Sequence, residues 1–160
     1  MTENREIERR FLLKRLPSGI EFHDMLDIVQ YYIKIDDITW RLRLSFSLIH
    51  EGEPQLEFLH KVFNGTGDFT EVIKEITSAD VPGLIKQAHK VLHKTRYVHK
   101  LGDLKFEVDQ PLKIDITFLE VELNDINQEF EIPEAIKKEI IMEVTGIKEL
   151  SNAALAETIQ

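Results

Sequence analysis

The sequence predicts an α+β fold: a β-barrel of about eight strands with charged side chains turned inward, apolar ones turned outward, and helices packed outside. Two observations predict it. Charged and apolar residues alternate with the two-residue period of a strand in segment after segment. The clearest case is Trp40-Arg41-Leu42-Arg43-Leu44-Ser45-Phe46, where Trp40, Leu42, Leu44 and Phe46 share one face and Arg41, Arg43 and Ser45 the other. Between such segments lies a longer stretch whose apolar residues recur at helical spacing.

The first strand is expected at 6–13, with Glu6, Glu8 and Arg10 on one face. Leu16-Pro17-Ser18-Gly19 reads as a turn, because Pro fixes φ and Gly accepts positive φ. A short helix is expected over 20–28, then a strand over 29–33 and a turn at Asp36-Asp37. After the strand at 40–46, Gly52-Glu53-Pro54 turns the chain into a strand over 56–63, where Glu57, Leu59 and Lys61 alternate with Phe58, His60 and Val62. Asn64 to Asp68 is a hairpin connection to a strand over 69–76 that carries Glu71 and Glu75 on one side. A helix is expected over 79–93, with Val81, Leu84, Ile85, Ala88, Val91 and Leu92 as its apolar stripe. Strands follow over 94–98, 104–110 and 116–123; the last sets Phe118, Glu120 and Glu122 against Leu119, Val121 and Leu123. The tail is expected to be helical, with Ile136, Ile140, Ile141 and Val144 as its apolar face, Gly146 as a stop and Ser151 capping a last helix through Thr158.

The length of 160 residues suits one domain over 1–160 and a substantial core. A formal charge of −9 argues against coating nucleic acid or anionic lipid, both of which reward excess Lys and Arg. Without Cys there is no disulfide and no thiolate ligand or nucleophile, which favours a cytoplasmic protein with only oxygen or imidazole donors for a metal. No run approaches the roughly 18 apolar residues of a membrane span.

Pointing every polar face inward collects Arg10, Arg41, Arg43, Lys61, Lys94 and Arg96 against Glu6, Glu8, Glu71, Glu107, Asp109, Glu120 and Glu122. Drying so many charges would cost several kcal/mol per ion, so the interior is expected to be a wet, open-ended tunnel. Clustered carboxylates are hard donors that select Mg²⁺ or Mn²⁺. Arginine forks match phosphate oxygens, and lysines add point charge. A polyphosphate carrying a divalent metal satisfies both sets. Glu71, Glu107 and Asp109 read as structural partners of the cations, and Trp40, Phe58 and Phe106 as packing. The six histidines lack metal-ligand spacing.

Glu6-Ile7-Glu8-Arg9-Arg10, Arg41-Leu42-Arg43, Lys61, Lys94-Thr95-Arg96-Tyr97, Phe106-Glu107-Val108-Asp109, Glu120-Val121-Glu122-Leu123 and Glu143-Val144-Thr145-Gly146 with Ser151-Asn152 come in an order that resembles one family. It is the CYTH, or triphosphate tunnel metalloenzyme, superfamily, whose signature is Glu-x-Glu-x-Lys on the first strand, and within it the short bacterial inorganic triphosphatases. The resemblance implies an eight-stranded antiparallel tunnel with helices outside, and a hydrolase acting on tripolyphosphate or a nucleoside triphosphate with Mg²⁺ or Mn²⁺. By the same resemblance Glu6, Glu8 and Glu122 hold the metal with Glu120 beside them. Arg10, Arg41, Arg43, Lys61, Lys94 and Arg96 bind the substrate, and Lys94 positions or activates the attacking water while Glu8 and Glu122 act through the metal. Other branches make cyclic AMP from ATP, so an adenylyl cyclase is the alternative enzyme, and a nucleotide- or polyphosphate-binding protein without turnover is the alternative of another class. A homodimer is left open. The chain departs from the family pattern at Arg10 in place of the signature Lys, at Phe69-Thr70-Glu71-Val72-Ile73 where Arg-x-Glu-x-Glu is usual, in a longer segment between Pro133 and Glu143, and at Glu149-Leu150 where Arg-Tyr is usual.

Overall fold

The computed structural model describes residues 1–159, and in it eight antiparallel strands close into a barrel. They are β1 (Thr2–Leu13), β2 (Asp24–Ile35), β3 (Ile38–Ser47), β4 (Gln55–Gly65), β5 (Asp68–Ile73), β6 (Ala88–Leu101), β7 (Leu104–Pro111) and β8 (Thr117–Leu123). Around the barrel the order is β6-β2-β3-β4-β5-β1-β8-β7, and β7 pairs with β6 to close the ring. Closure leaves no open edge in the ring, so each strand's backbone groups find partners on both flanks. The two-residue connection from β2 to β3 places both Asp36 and Asp37 at positive φ, 50° and 66°, as a tight hairpin turn requires and as Asp tolerates.

Two short strands lie outside the ring. β9 (Ile140–Glu143) pairs with β1, and β10 (Glu157–Thr158) pairs with β6. Three short helices complete the chain: α1 (Val81–Gln87), α2 (Glu134–Lys137) and α3 (Asn152–Leu155).

The apolar outer faces need a coat, and loops supply much of it. Ile7, Phe11, Phe106, Val108, Leu119 and Val121 on β1, β7 and β8 are covered by Leu16, Ile20 and Phe22 from one loop and by Phe130, Ile132 and Ile136 from another. On the opposite side Val81, Leu84 and Ile85 of α1 cover Ile33, Leu42 and Phe58. Trp40 stacks on Phe58 with ring centroids 4.8 Å apart, and Phe106 is fully buried, so these aromatics pack as expected.

Three helical expectations are corrected. Residues 20–23 are a loop and β2 already begins at Asp24, because Leu26 to Val29 gain ladder partners on both β3 and β6. The helix expected over 79–93 stops at Gln87. From Ala88 the chain is β6, in which Leu92, Lys94, Arg96 and Val98 are buried on one face. Val91 and Leu92 suit helical spacing locally, but pairing with β2 decides. The tail is mostly not helical. β5 reaches only from Thr2 to Ile7 along β1, and β9 takes the same flank further on, pairing Phe11 with Glu143 and Leu12 with Met142. Ile141 is therefore exposed rather than packed. Gly146 sits in a turn at φ 79°, and the helix that Ser151 does cap ends at Leu155, short of Thr158. β5 likewise ends at Ile73, which leaves Glu75 outside it.

Candidate functional site

The two-residue period of the strands turns Glu6, Glu8 and Arg10 of β1 into the lumen. The ladder with β8 sets Glu8 opposite Glu122 and Arg10 opposite Glu120. Tyr32 pairs with Arg41 and Gln30 with Arg43 across β2 and β3, Lys61 with Glu71 across β4 and β5, and Arg96 with Asp109 across β6 and β7. Arg10, Arg41, Lys94, Arg96, Glu71, Asp109 and Glu120 are buried, although four of the seven are cations. Such burial is sustained because nearly every charge has an opposite neighbour.

One network runs through the side of the barrel formed by β1, β6, β7 and β8. Arg96 donates to both carboxylate oxygens of Asp109, at 2.7 and 2.9 Å, to Glu107 at 3.0 Å and to Glu120 at 3.2 Å. Lys94 Nζ donates to Asp109 Oδ2 at 2.6 Å. Arg10 Nε lies 3.1 Å from Glu120 Oε1, and its guanidinium sits 3.9 Å over the Phe118 ring. On the other side Lys61 donates to Glu6 at 2.5 Å, Arg41 is paired with Glu57, and Arg43 donates to Gln30 Oε1 at 3.0 Å.

These contacts shift titrations in opposite directions. Burial, the Glu120 charge and the Glu6 charge push the Glu8 carboxyl up to about 8, against the pull of Lys61 and Arg10. Burial and the charges of Glu6 and Glu107 raise Glu122. Burial would raise Asp109 too, but Arg96 and Lys94 overcome it and hold that carboxyl well below the usual range. Burial pushes the Lys94 ammonium down to about 8, with Asp109 resisting. Burial and the neighbouring Arg41 and Arg96 charges lower Arg43 to about 10.

A cavity of about 430 Å³ opens into the lumen. Glu8, Arg10, Arg41, Lys61 and Glu120 line it among the expected site residues, together with Tyr32, Leu59 and Phe69. Glu6, Arg43, Lys94, Arg96 and Glu122 do not border the open space. Glu6 is held by Lys61, and Lys94 and Arg96 are held by Asp109. Among the described residues no three His, Asp or Glu side chains converge into a metal-holding group. Glu6 and Glu120 are turned toward cations in this conformation. A roomier hollow of about 550 Å³ lies between Arg9 and residues 126–131. Its one basic group, Arg9, is held by Glu143, and Glu129 and Glu131 also line the hollow, so it offers little grip on an anion.

Sequence reasoning passed over several members of the site. Glu57 was read only as part of an alternation, yet it is the partner of Arg41 and lies 3.8 Å from Arg43. Fully buried Gln30 bridges Arg43 to the Tyr32 hydroxyl, to which it donates at 2.9 Å. Extending the period of two back along β2 would have found both Gln30 and Tyr32. Lys148, next to the departure at Glu149-Leu150, lines the cavity, and no pattern in the tail announces it.

The geometry defines a class: a closed antiparallel β-tunnel whose lumen holds matched cations and carboxylates beside an open cavity. The inorganic triphosphatase NE1496 shares the fold, with a TM-score of 0.52 at 28% identity over 96% of this chain and 95% of its own. PH1819 of Pyrococcus horikoshii OT3 has the same fold, with a TM-score of 0.55 at 17% identity over 83% of this chain and 85% of its own. So does a Bacillus halodurans protein described as a candidate adenylate cyclase, with a TM-score of 0.50 at 15% identity over 84% of this chain and 97% of its own. No family model and no curated protein matches the chain. The fold is that of the CYTH, or triphosphate tunnel, superfamily, as the order of motifs implied.

Proposed function

We propose that residues 1–160 act as one domain, a divalent-metal-dependent triphosphatase that hydrolyses inorganic tripolyphosphate or a nucleoside triphosphate. The observation that carries this reading is the cavity wall. Arg10, Arg41 and Lys61 stand on it beside Glu8 and Glu120, and buried N–H groups of Arg10 and Arg41 have no hydrogen-bond acceptor. Unpaired cationic donors in a confined, low-dielectric space favour a multiply charged anion. The likeness to NE1496, whose name states an inorganic triphosphatase, supports the choice.

The carboxylates fit a hard divalent cation. Burial first, and crowding by Glu120 and Glu6 after it, raise the Glu8 carboxyl to about 8, so a counterion beside it would be favoured. Glu6, Glu8 and Glu122 would hold Mg²⁺ or Mn²⁺ with Glu120 beside them, once Glu6 and Glu120 turn from Lys61 and Arg10. Bound there, the metal supplies polarisation of a phosphoryl oxygen and neutralises charge. Arg10, Arg41 and Lys61 grip the chain of phosphates, and Arg43 and Arg96 add positive field from behind, which stabilises charge gathering on the transferred group. Lys94, partly neutral near pH 8 and sealed behind the cavity on Asp109, would position the water or take its proton once it turns from that carboxylate.

Phosphate release from tripolyphosphate, ATP, GTP and thiamine triphosphate, with Mg²⁺ or Mn²⁺ and with a chelator, tests the proposal. Metal-dependent release from at least one is expected, and release from none overturns it. Cyclic AMP formed from ATP would replace it with a cyclase.

A further inference from the structure

Residues 144–156 form a strap across one end of the barrel. At one side the Val144 amide donates to the Arg10 carbonyl at 2.8 Å, beside β9 on β1. At the other, Glu157 of β10 pairs with Val91 of β6. Between them Leu155 and Ala156 pack on Tyr32 and Leu92. Lys148, Ser151 and Asn152 of the strap line the cavity.

The strap is thinly anchored. Its helix is one turn, and β10 is two exposed residues. Segments held by so few buried contacts open locally at low free energy. Its midpoint is held by one charged contact, in which Arg10 NH1 donates to the Leu150 carbonyl. Arg10 is 6% exposed and lines the cavity, and its Nε and NH2 make no hydrogen bond. The guanidinium thus spends NH1 on the strap, faces Glu120 through Nε, and keeps NH2 without any acceptor.

We infer that Arg10 is a positioning residue that ties a bound phosphoryl anion to the strap, so that filling the cavity fastens residues 147–156 over it. The anion accepts from NH2, beside the Nε that faces Glu120, while NH1 keeps the Leu150 carbonyl, one rigid fork serving two acceptors on different sides. A lysine carries all its donors on one nitrogen at the end of a flexible stem, and cannot span both. Fastening also brings Lys148 to the mouth as a further cation. This inference rests on the reading of the cavity as a site for phosphoryl anions.

Amide hydrogen exchange on the full chain tests it, with and without tripolyphosphate in a chelator to prevent turnover, and with calorimetry to show occupancy. In the wild type, exchange at 147–156 should slow several-fold on binding. In Arg10→Lys, which keeps the charge, the anion should still bind, more weakly, and the strap should exchange as fast as in the free protein. An occupied wild type with unchanged strap exchange overturns the inference and leaves the cavity reading intact. Equal slowing in Arg10→Lys does the same. If calorimetry finds no anion bound, the cavity reading fails and the coupling with it. The wild-type comparison stands alone should Arg10→Lys fail to fold.

Discussion

Lys94 and Asp109 form an ion pair of 2.6 Å in which both side chains are closed off from solvent. Arg96 shares the same carboxylate through two further hydrogen bonds. Asp109 is therefore an acceptor that two buried cations share, and losing it leaves Lys94 without its partner and Arg96 with only Glu107 and Glu120. Asp109→Asn should cost about 3–5 kcal/mol in urea unfolding, the range for breaking a buried pair. The double variant Lys94→Met with Asp109→Asn should cost less than the sum of the two single ones, since their effects are coupled.

Lys94 also sets a pH dependence. Burial brings its ammonium down to about 8 from the ordinary 10.5. Below 8 the group is charged in both folded and unfolded chains, and the cost of burying that charge is borne in full. Between about 8 and 10.5 the folded chain has released the proton and the unfolded chain still binds it, so this group's contribution to stability rises with pH across that window. If the neutral amine also serves the attacking water, kcat should rise through pH 8. Lys94→Arg, which stays protonated, should flatten that limb of the pH–rate profile.

Arg43 and Glu122 should separate binding from chemistry. Arg43→Ala removes a cation behind the proposed phosphate site, and we expect KM to rise strongly with a smaller change in kcat. Glu122→Gln removes a proposed metal donor opposite Glu8, and kcat should fall with a weaker dependence on metal concentration. Steady-state kinetics at varied Mg²⁺ or Mn²⁺ reads both. Wild-type values from either variant would remove that residue from the site.

Gly67 lies against β1 where Glu8 is placed. It sits at φ 70°, its carbonyl accepts from the Glu8 amide at 2.9 Å, and a Cβ there would stand 2.5 Å from the Glu8 carbonyl oxygen. Gly67→Ala must push β1 away as well as strain its own backbone. A loss of about 1–3 kcal/mol in thermal or urea unfolding is expected for the strain alone. Phosphate release should fall with it, because the displaced residue is Glu8.

The strands that build the lumen were legible because a two-sided strand writes its environment into alternate residues. Trp40 to Phe46 could be assigned to faces without knowing their neighbours, and the structure puts Arg41 inside and Leu42 in the coat. The segments that misled were those whose partner is distant. Ala88 to His93 fits a helix until β2 is laid beside it, and Ile140 to Glu143 becomes a strand only because β5 leaves part of β1 uncovered. Site members on the charged faces were found by the same alternation. Gln30 and Glu57 were passed over because a buried amide and a carboxylate that serves its neighbours look, in one dimension, like ordinary surface residues. Lys148 reaches the cavity only through the path of the tail, which no local period encodes.

β1 carries Glu6, Glu8 and Arg10 and also completes the ring, standing between β5 and β8. It precedes the other strands of the ring, pairs with β5 some 60 residues on, and finds its second neighbour only in β8, more than 100 residues away. Contacts so distant in sequence make folding slow. They also mean that a half-folded copy has no assembled chamber at all: the lumen exists only as a finished vessel.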